Sequence, residues 1–286
     1  MRHSEMKQDA IACGPRAMVL FLIRTDAFPD LGIVPSPYPV SLFVMPNAFL
    51  ITVLTGLLAF ALTASASAQS PPSTSATSQA VSPETQKFRG IITEITELHA
   101  KQRYAEALLR LHDAEELKVD PALVHNIRGS IYTAQRDYAK ARDSFDQARL
   151  LKPEAFEPRF NLAELDYVAG AYKTAEATFI QILKDYPKLP AVRRHLCQFK
   201  VVVCQLKQDK VTEAGTTAKS FGFMDDTPAY YFSQAAVAFQ KGDKTTALQW
   251  VTKAGNIFPR QESVLYLDAL MEAHWIESIG VPEGKK

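Results

Sequence analysis

Residues 103–107 have the sequence RYAEA, and related stretches follow at intervals of 34 residues as DYAKA at 137–141 and AYKTA at 171–175. A fourth copy at 243–247, DKTTA, keeps the closing alanine. A large apolar residue lies four positions after each closing alanine, and an alanine or isoleucine lies three positions further on, so these side chains share one stripe of a helix. A period of 34 residues therefore predicts similar helix pairs stacked in series. The apolar positions are Leu111 and Ala114, Phe145 and Ala148, Phe179 and Ile182, and Val251 and Ala254.

Two further positions keep the same register. Pro153, Pro187 and Pro259 match one another, and a proline ring without an N–H ends a helix. Upstream, small residues share a position that would let the first helix of a unit press against the second. These small residues are Gly129, Ala163 and Ala235.

This combination resembles the tetratricopeptide repeat (TPR), which places small, aromatic, alanine and proline residues at fixed positions within 34 residues. The resemblance implies an all-α fold, a right-handed α-solenoid of about five helix pairs with a C-terminal capping helix. The units would span 88–121, 122–155, 156–189, 190–227 and 228–260, with the cap at 261–279 and a tail at 280–286. The unit at 190–227 is longer than the others and its signature is degenerate. The signature residues are Tyr104, Ala107, Gly129, Tyr132, Tyr138, Ala141, Phe145, Ala148, Pro153, Tyr172, Ala175, Phe179, Pro187, Ala247, Ala254 and Pro259.

The N-terminal region contains a pattern typical of export. An apolar run at 48–62 is followed by small residues and by Ala66-x-Ala68, which predicts a signal peptide at 45–68 cleaved before Gln69. The alternative is an uncleaved membrane anchor formed by residues 48–64. Residues 1–44 have no helical or strand period, so we expect them to be unstructured and Met45 to be the true first residue. Residues 69–87 predict a flexible linker because they are mostly small or polar. We therefore expect an exported protein, in the periplasm or at the cell surface.

The titratable and nucleophilic residues form no catalytic pattern. His195 and Cys197 are two positions apart, so on one helix they point to different faces. Cys197 and Cys204 are seven positions apart, roughly 10 Å along a helix, which is too far for a disulfide. The histidines at 99, 112 and 125 have no partner spaced for a tetrahedral metal site. We therefore expect no enzymatic activity, no cofactor and no bound metal.

The family resemblance also implies a binding surface. In TPR proteins the first helices of the units line a concave groove, which usually holds an extended or helical peptide. Aromatic and arginine side chains are the usual anchors of interfaces, so five of the matching positions stand out, although an aromatic residue on a repeat helix can also belong to the core. These five are Phe160, Tyr167, Arg194, Phe232 and Phe239, and Ile92, Asn126 and Glu164 complete the predicted groove.

These observations leave two functional classes. The favoured one is a protein-protein interaction or scaffolding module of the cell envelope, with another protein or peptide as its partner. A formal net charge of +1 offers no basic surplus for nucleic acid, and contact with a membrane is expected only through the possible anchor. The alternative is an accessory or ligand-binding protein for envelope polysaccharide or peptide processing, indicated only by Glu164 beside Phe160 and Tyr167.

Overall fold

The computed structural model describes residues 82–276, and within this range the chain forms eleven α-helices and no strand. The predictions for residues 1–81 and 277–286 lie outside the described residues. The helices are α1 (Pro83–Ala100), α2 (Tyr104–Glu116), α3 (Pro121–Ala134), α4 (Tyr138–Leu151), α5 (Phe156–Val168), α6 (Tyr172–Asp185), α7 (Ala191–Lys207), α8 (Val211–Ala218), α9 (Ala229–Gln240), α10 (Lys244–Ile257) and α11 (Arg260–Glu272).

Consecutive helices pack as five pairs, from α1 with α2 to α9 with α10, and α11 follows the last pair. This architecture confirms the predicted all-α solenoid of helix pairs. The first helix begins at Pro83, so the last five residues assigned to the linker are helical. The reason is local: Pro83 suits the first helical position, and the Ser82 hydroxyl accepts a hydrogen bond from the Thr85 N–H at 3.2 Å.

The repeated small residues lie where the helices of a pair cross. Ala107, Ala141, Ala175 and Ala247 are all fully buried. At Gly129 the approach is closest, because a Cβ added there would lie 2.5 Å from the Phe145 ring. The signature prolines each follow the end of a second helix by two residues, as their lack of an N–H requires.

The first helix of every pair ends in the same turn. One residue with φ between 58° and 78° stands after the helix, and two backbone hydrogen bonds close a Schellman motif. After α5, for example, the Gly170 N–H donates to the Tyr167 carbonyl and the Ala171 N–H to the Asp166 carbonyl. α11 ends in this way too, at His274. The terminal helix is therefore built like the first helix of a sixth unit.

The degenerate fourth unit changes how the last units pack. α8 has only eight residues, whereas the second helices of the other units have 13 or 14. α9 accordingly packs more closely on α7 than on α8, and one hydrophobic core runs continuously from α5 to α11. In this arrangement α11 packs most closely against α7 and also contacts both helices of the last pair, α9 and α10.

Candidate functional site

The structure buries nearly all of the side chains that the sequence places in an open groove. Tyr167 is 0% exposed, Phe160 is 2% exposed and Phe232 is 1% exposed, and only Arg194 is partly exposed. The expectation that these side chains are accessible to a ligand is therefore corrected. The other buried members of the predicted groove are Ile92, Asn126, Glu164 and Phe239.

Phe160 is buried because it belongs to the core of its own unit. Its ring stacks on Phe156 at 5.3 Å and meets the edge of the Phe179 ring, on α6, at 5.7 Å. The position that the resemblance assigns to the groove is thus turned toward the second helix. It supports the shape of the inner surface without forming part of it.

Three other predicted anchors are covered by α11 and the turn that follows it. The Tyr167 hydroxyl donates to the Ala269 carbonyl at 2.5 Å. Phe232 stacks on Tyr266, with ring centroids 5.3 Å apart, and Phe239 stacks on Trp275 at 6.2 Å. These side chains hold a helix of the same chain, and their role in binding a partner stays a prediction.

The last turn of α11 is held by cations of the first helices and their turns. The Lys207 ammonium, at the end of α7, donates to the Ala273 carbonyl at 3.0 Å and lies 5.6 Å from the Trp275 ring. Arg136, in the turn after α3, approaches the Glu272 carboxylate at 3.3 Å. Positive charge at the C-terminal end of a helix is favoured by the helix dipole.

A buried ion pair lies beside Tyr167, the residue that bonds to α11. The Lys200 ammonium bonds to the Glu164 carboxylate at 2.8 Å and sits over the Tyr167 ring at 4.2 Å. Burial raises the pKa of Glu164, and the charge of Lys200 opposes that shift. The second oxygen of Glu164, Oε1, has no hydrogen-bond partner within residues 82–276. The carboxylate that had indicated a glycan site is therefore buried and paired with Lys200.

The accessible part of the inner surface is polar. Thr96 on α1 and Arg194 and Gln198 on α7 are each partly exposed. A buried amide pair lies between α3 and α5, where Asn161 donates to Asn126 at 2.8 Å. Hydrogen-bonding side chains are therefore accessible at Thr96, Arg194 and Gln198, whereas the amide pair is buried.

The cysteines and the histidine that were considered for catalysis are buried within the fold. Cys197 and Cys204 are buried on α7, and burial raises the pKa of both thiols, which keeps them protonated and unreactive. His195 Nδ1 lies 2.8 Å from the Thr227 hydroxyl, and burial lowers its pKa. Within residues 82–276 no three metal-ligating side chains cluster, and no helix is both long and apolar enough to cross a membrane.

Sequence reasoning missed the groups that hold α11. A signal was present in the sequence, because apolar residues occur on several sides of α11, and in the structure no residue from 263 to 273 is exposed. A terminal helix that only caps a stack keeps a polar outer face. The missed residues are Arg136, Lys200, Lys207, Tyr266, Glu272 and Trp275.

Comparisons with known proteins agree with this architecture. A family model described as a tetratricopeptide repeat matches residues 132–196. One similar solved structure, PilW, is described as a widely conserved type IV pilus biogenesis factor; it is 22% identical, with a TM-score of 0.50, over 66% of this chain and 89% of that chain. Another, YrrB, is described as a TPR protein with an unusual peptide-binding site; it is 18% identical, with a TM-score of 0.41, over 67% of this chain and 100% of that chain. None of the curated proteins matches. The family match thus covers the part of the chain from 132 to 196, and the similarity to PilW is one of fold.

Proposed function

We propose that this chain is a non-enzymatic interaction module that holds a segment of another protein on the inner surface of its first helices. The repeats support this class, because TPR proteins are typically interaction modules without catalytic activity. The observation that carries the proposal is α11: the inner surface of α5, α7 and α9 binds a helix through aromatic stacking, a buried hydrogen bond and two cations.

We further propose that the module works in the cell envelope, exported by residues 45–68. The support is the apolar run at 48–62 followed by Ala66 and Ala68. Mass spectrometry of the protein from its native host should find Gln69 or a near neighbour as the first residue. A cytosolic protein that begins at Met1 would contradict the export.

Site-specific photo-crosslinking tests the binding surface. A benzophenone amino acid at Thr96 or Gln198, both partly exposed on first helices, should crosslink to a discrete partner in the native envelope. The matched control positions are Gln181 on α6 and Leu248 on α10, which are exposed on second helices. Crosslinks from Gln181 and Leu248 but none from the first-helix positions would show that the partner binds the outer face.

A further inference from the structure

We infer that the partner is an α-helical segment that takes the place of α11 on α5, α7 and α9, and that α11 occupies this surface until the partner binds. The inference rests on the proposed function and adds to it the kind of partner and the way in which access is controlled. It follows from where α11 lies, from the side chains that it presents and from the polar atoms that it leaves unsatisfied.

The position of α11 is that of a groove ligand. A helix that only capped the stack would pack on α9 and α10, the last pair. Here α11 packs on α7 in addition to the last pair, and it reaches α5 through the Ala269 carbonyl. Its end meets Arg136, in the turn after α3, so that the contacts of one helix extend back to the second unit.

The contacts of α11 fall on residues spaced three apart. Tyr266 stacks on Phe232, the Ala269 carbonyl accepts from Tyr167, Glu272 pairs with Arg136, and Trp275 stacks on Phe239. The Ala269 contact is made by its backbone carbonyl, and Trp275 lies in the turn after α11, so these contacts wind around the C-terminal end of the helix instead of following one face. A partner helix with the same sequence of side chains would meet the same anchors, with its carboxylate and its C-terminal carbonyls toward Arg136 and Lys207.

With α11 in place, several buried polar atoms lack a hydrogen-bond partner among the described residues. Glu164 Oε1 on α5, the Ser233 hydroxyl on α9 and the Ser263 hydroxyl on α11 itself are buried, and none has a hydrogen-bond partner within residues 82–276. Buried polar groups are normally paired, because an unpaired one has lost its water without compensation. A partner helix that offers a donor to Glu164 would therefore gain a bond that α11 does not make.

Release of α11 is compatible with the rest of the fold. Only Phe258 and Pro259 connect α10 to α11. The crossings within each pair depend on alanines such as Ala175 and Ala247, which pack against the partner helix of their own unit. The crossings within each pair are therefore kept when α11 leaves, while the core side chains of α5, α7 and α9 that α11 covers lose their contacts with it.

The test uses the full-length chain and a fluorescein-labelled synthetic peptide of residues 259–276, with affinity measured by fluorescence anisotropy. Substituting Glu272→Ala and Trp275→Ala in the protein weakens the internal competitor but leaves the surface under α11 intact. An internal competitor lowers apparent affinity in proportion to the closed fraction, so this double variant should bind the peptide at least tenfold more tightly than the parent. Adding Phe239→Ala and Lys207→Ala to the same protein should reverse the gain.

Two controls keep the result interpretable. Leu150→Ala, on the outer helix α4 and 65% exposed, should leave the affinity for the peptide unchanged. A peptide with Glu272→Lys should bind the double variant more weakly than the native peptide. If the double variant does not fold, as judged by its circular-dichroism spectrum, Glu272→Ala alone is used with hydrogen exchange as the readout, and faster exchange is expected in α11 and in the helices that it covers, but not in α1 and α2.

Several results would overturn the inference. Equal peptide affinity of parent and double variant would show that α11 does not compete for the surface. A concentration-dependent dimer of the double variant, with α11 exchanged between chains, would identify a second copy as the occupant instead. If the peptide does not compete but crosslinks from Thr96 and Gln198 still appear, the partner binds without displacing α11, so this inference fails while the proposed function stands.

Discussion

Gly129 illustrates how one residue fixes the spacing of a helix pair. In an exposed helix interior, Gly→Ala ordinarily stabilises by about 1 kcal/mol because alanine loses less backbone entropy. At Gly129 the new Cβ would lie 2.5 Å from the buried Phe145 ring, and overpacking costs ~1–3 kcal/mol. We therefore expect Gly129→Ala to lower the free energy of unfolding by about 1 kcal/mol, measured by urea denaturation.

The matched control for Gly129 is Gly90, on the exposed face of α1. A Cβ at Gly90 meets no atom within 4 Å, so Gly90→Ala should stabilise the protein by about 1 kcal/mol. The two identical substitutions should thus have opposite signs. Stabilisation by both would mean that Phe145 can move aside and that α3 and α4 are not in close contact.

The two buried glutamates in the middle of the chain should respond to pH in opposite ways. Burial raises the pKa of Glu164 above its ordinary value of 4.5. Burial acts in the same direction on Glu176, but hydrogen bonds from Lys210, Gln208 and Gln205 outweigh it and lower the pKa. A raised carboxyl pKa contributes stability that is lost as pH rises from 4.5 through the folded value, whereas a lowered pKa contributes stability that is lost as pH falls below 4.5.

These signs give a prediction for Glu164→Gln and Glu176→Gln, with urea unfolding measured from pH 3.5 to 7. The free energy lost on Glu164→Gln should become smaller as pH rises, and the loss on Glu176→Gln should become larger. Groups that titrate in the same way in the parent and in a variant contribute equally to both unfolding free energies, so they cancel in the difference between the two. Parallel slopes for the two variants would show that the two carboxyl groups do not have the different surroundings described above.

At the scale of a helix, the start of the second helix differs between units. The Asp137 and Asp243 side chains cap α4 and α10 by accepting from backbone N–H groups at 3.2 and 3.0 Å. Ala171 stands at the same position before α6 and has similar backbone angles but no capping side chain. Asp137→Ala should therefore cost about 1 kcal/mol, and Ala171→Asp should gain about 0.5 kcal/mol.

Thermal melts of Asp137→Ala and Ala171→Asp against the parent check this pair. Each helix N-terminus also favours the negative charge, so added salt should reduce both effects. A melting temperature that is unchanged by Ala171→Asp would indicate that the existing bond from the Thr174 N–H to the Ala171 carbonyl already satisfies the start of α6.

The helices could be predicted from the sequence because their determinants are local. The crossing alanines, Gly129 and the helix-ending prolines repeat at a fixed spacing, and each acts within one unit. The groove side chains could not be predicted as well. Whether Phe160 turns toward α6 or toward the inner surface depends on how α5 is rotated about its axis. A rotation smaller than the roughly 100° between neighbouring residues decides it, and the 34-residue period does not determine that rotation.

At the scale of the molecule, the position of α11 is the feature that the repeat could not predict. In a linear solenoid each unit contacts only its neighbours, and a terminal helix should contact the last pair. The bond from Tyr167 to Ala269 instead joins residues 102 positions apart, and the pair Arg136–Glu272 joins residues 136 positions apart. Such contacts depend on the curvature accumulated over several units, to which the short α8 contributes.

The long-range contacts of α11 predict how the chain opens. In a solenoid with nearest-neighbour coupling only, a change in the last unit should loosen that unit and leave the third unit protected. Tyr266 contacts Phe199 on α7 and Phe232 on α9, and its helix also bonds to α5. We expect Tyr266→Ala to increase backbone hydrogen exchange in α5 and α7 as well as in α9, because the removal of a buried aromatic side chain costs about 3–5 kcal/mol at the site where these helices meet.

Trp250→Ala is the matched control, since Trp250 is an aromatic side chain of α10 that meets Tyr230 and Tyr231 within its own unit. Its exchange effect should stay within α9 and α10. Mass-spectrometric exchange of both variants distinguishes the alternatives: if Trp250→Ala loosened α5 as much as Tyr266→Ala does, the units would open together whatever α11 does. If neither variant changed α5, the contacts of α11 with the third unit would contribute little to stability, and α11 would leave the inner surface without disturbing the helices beneath it.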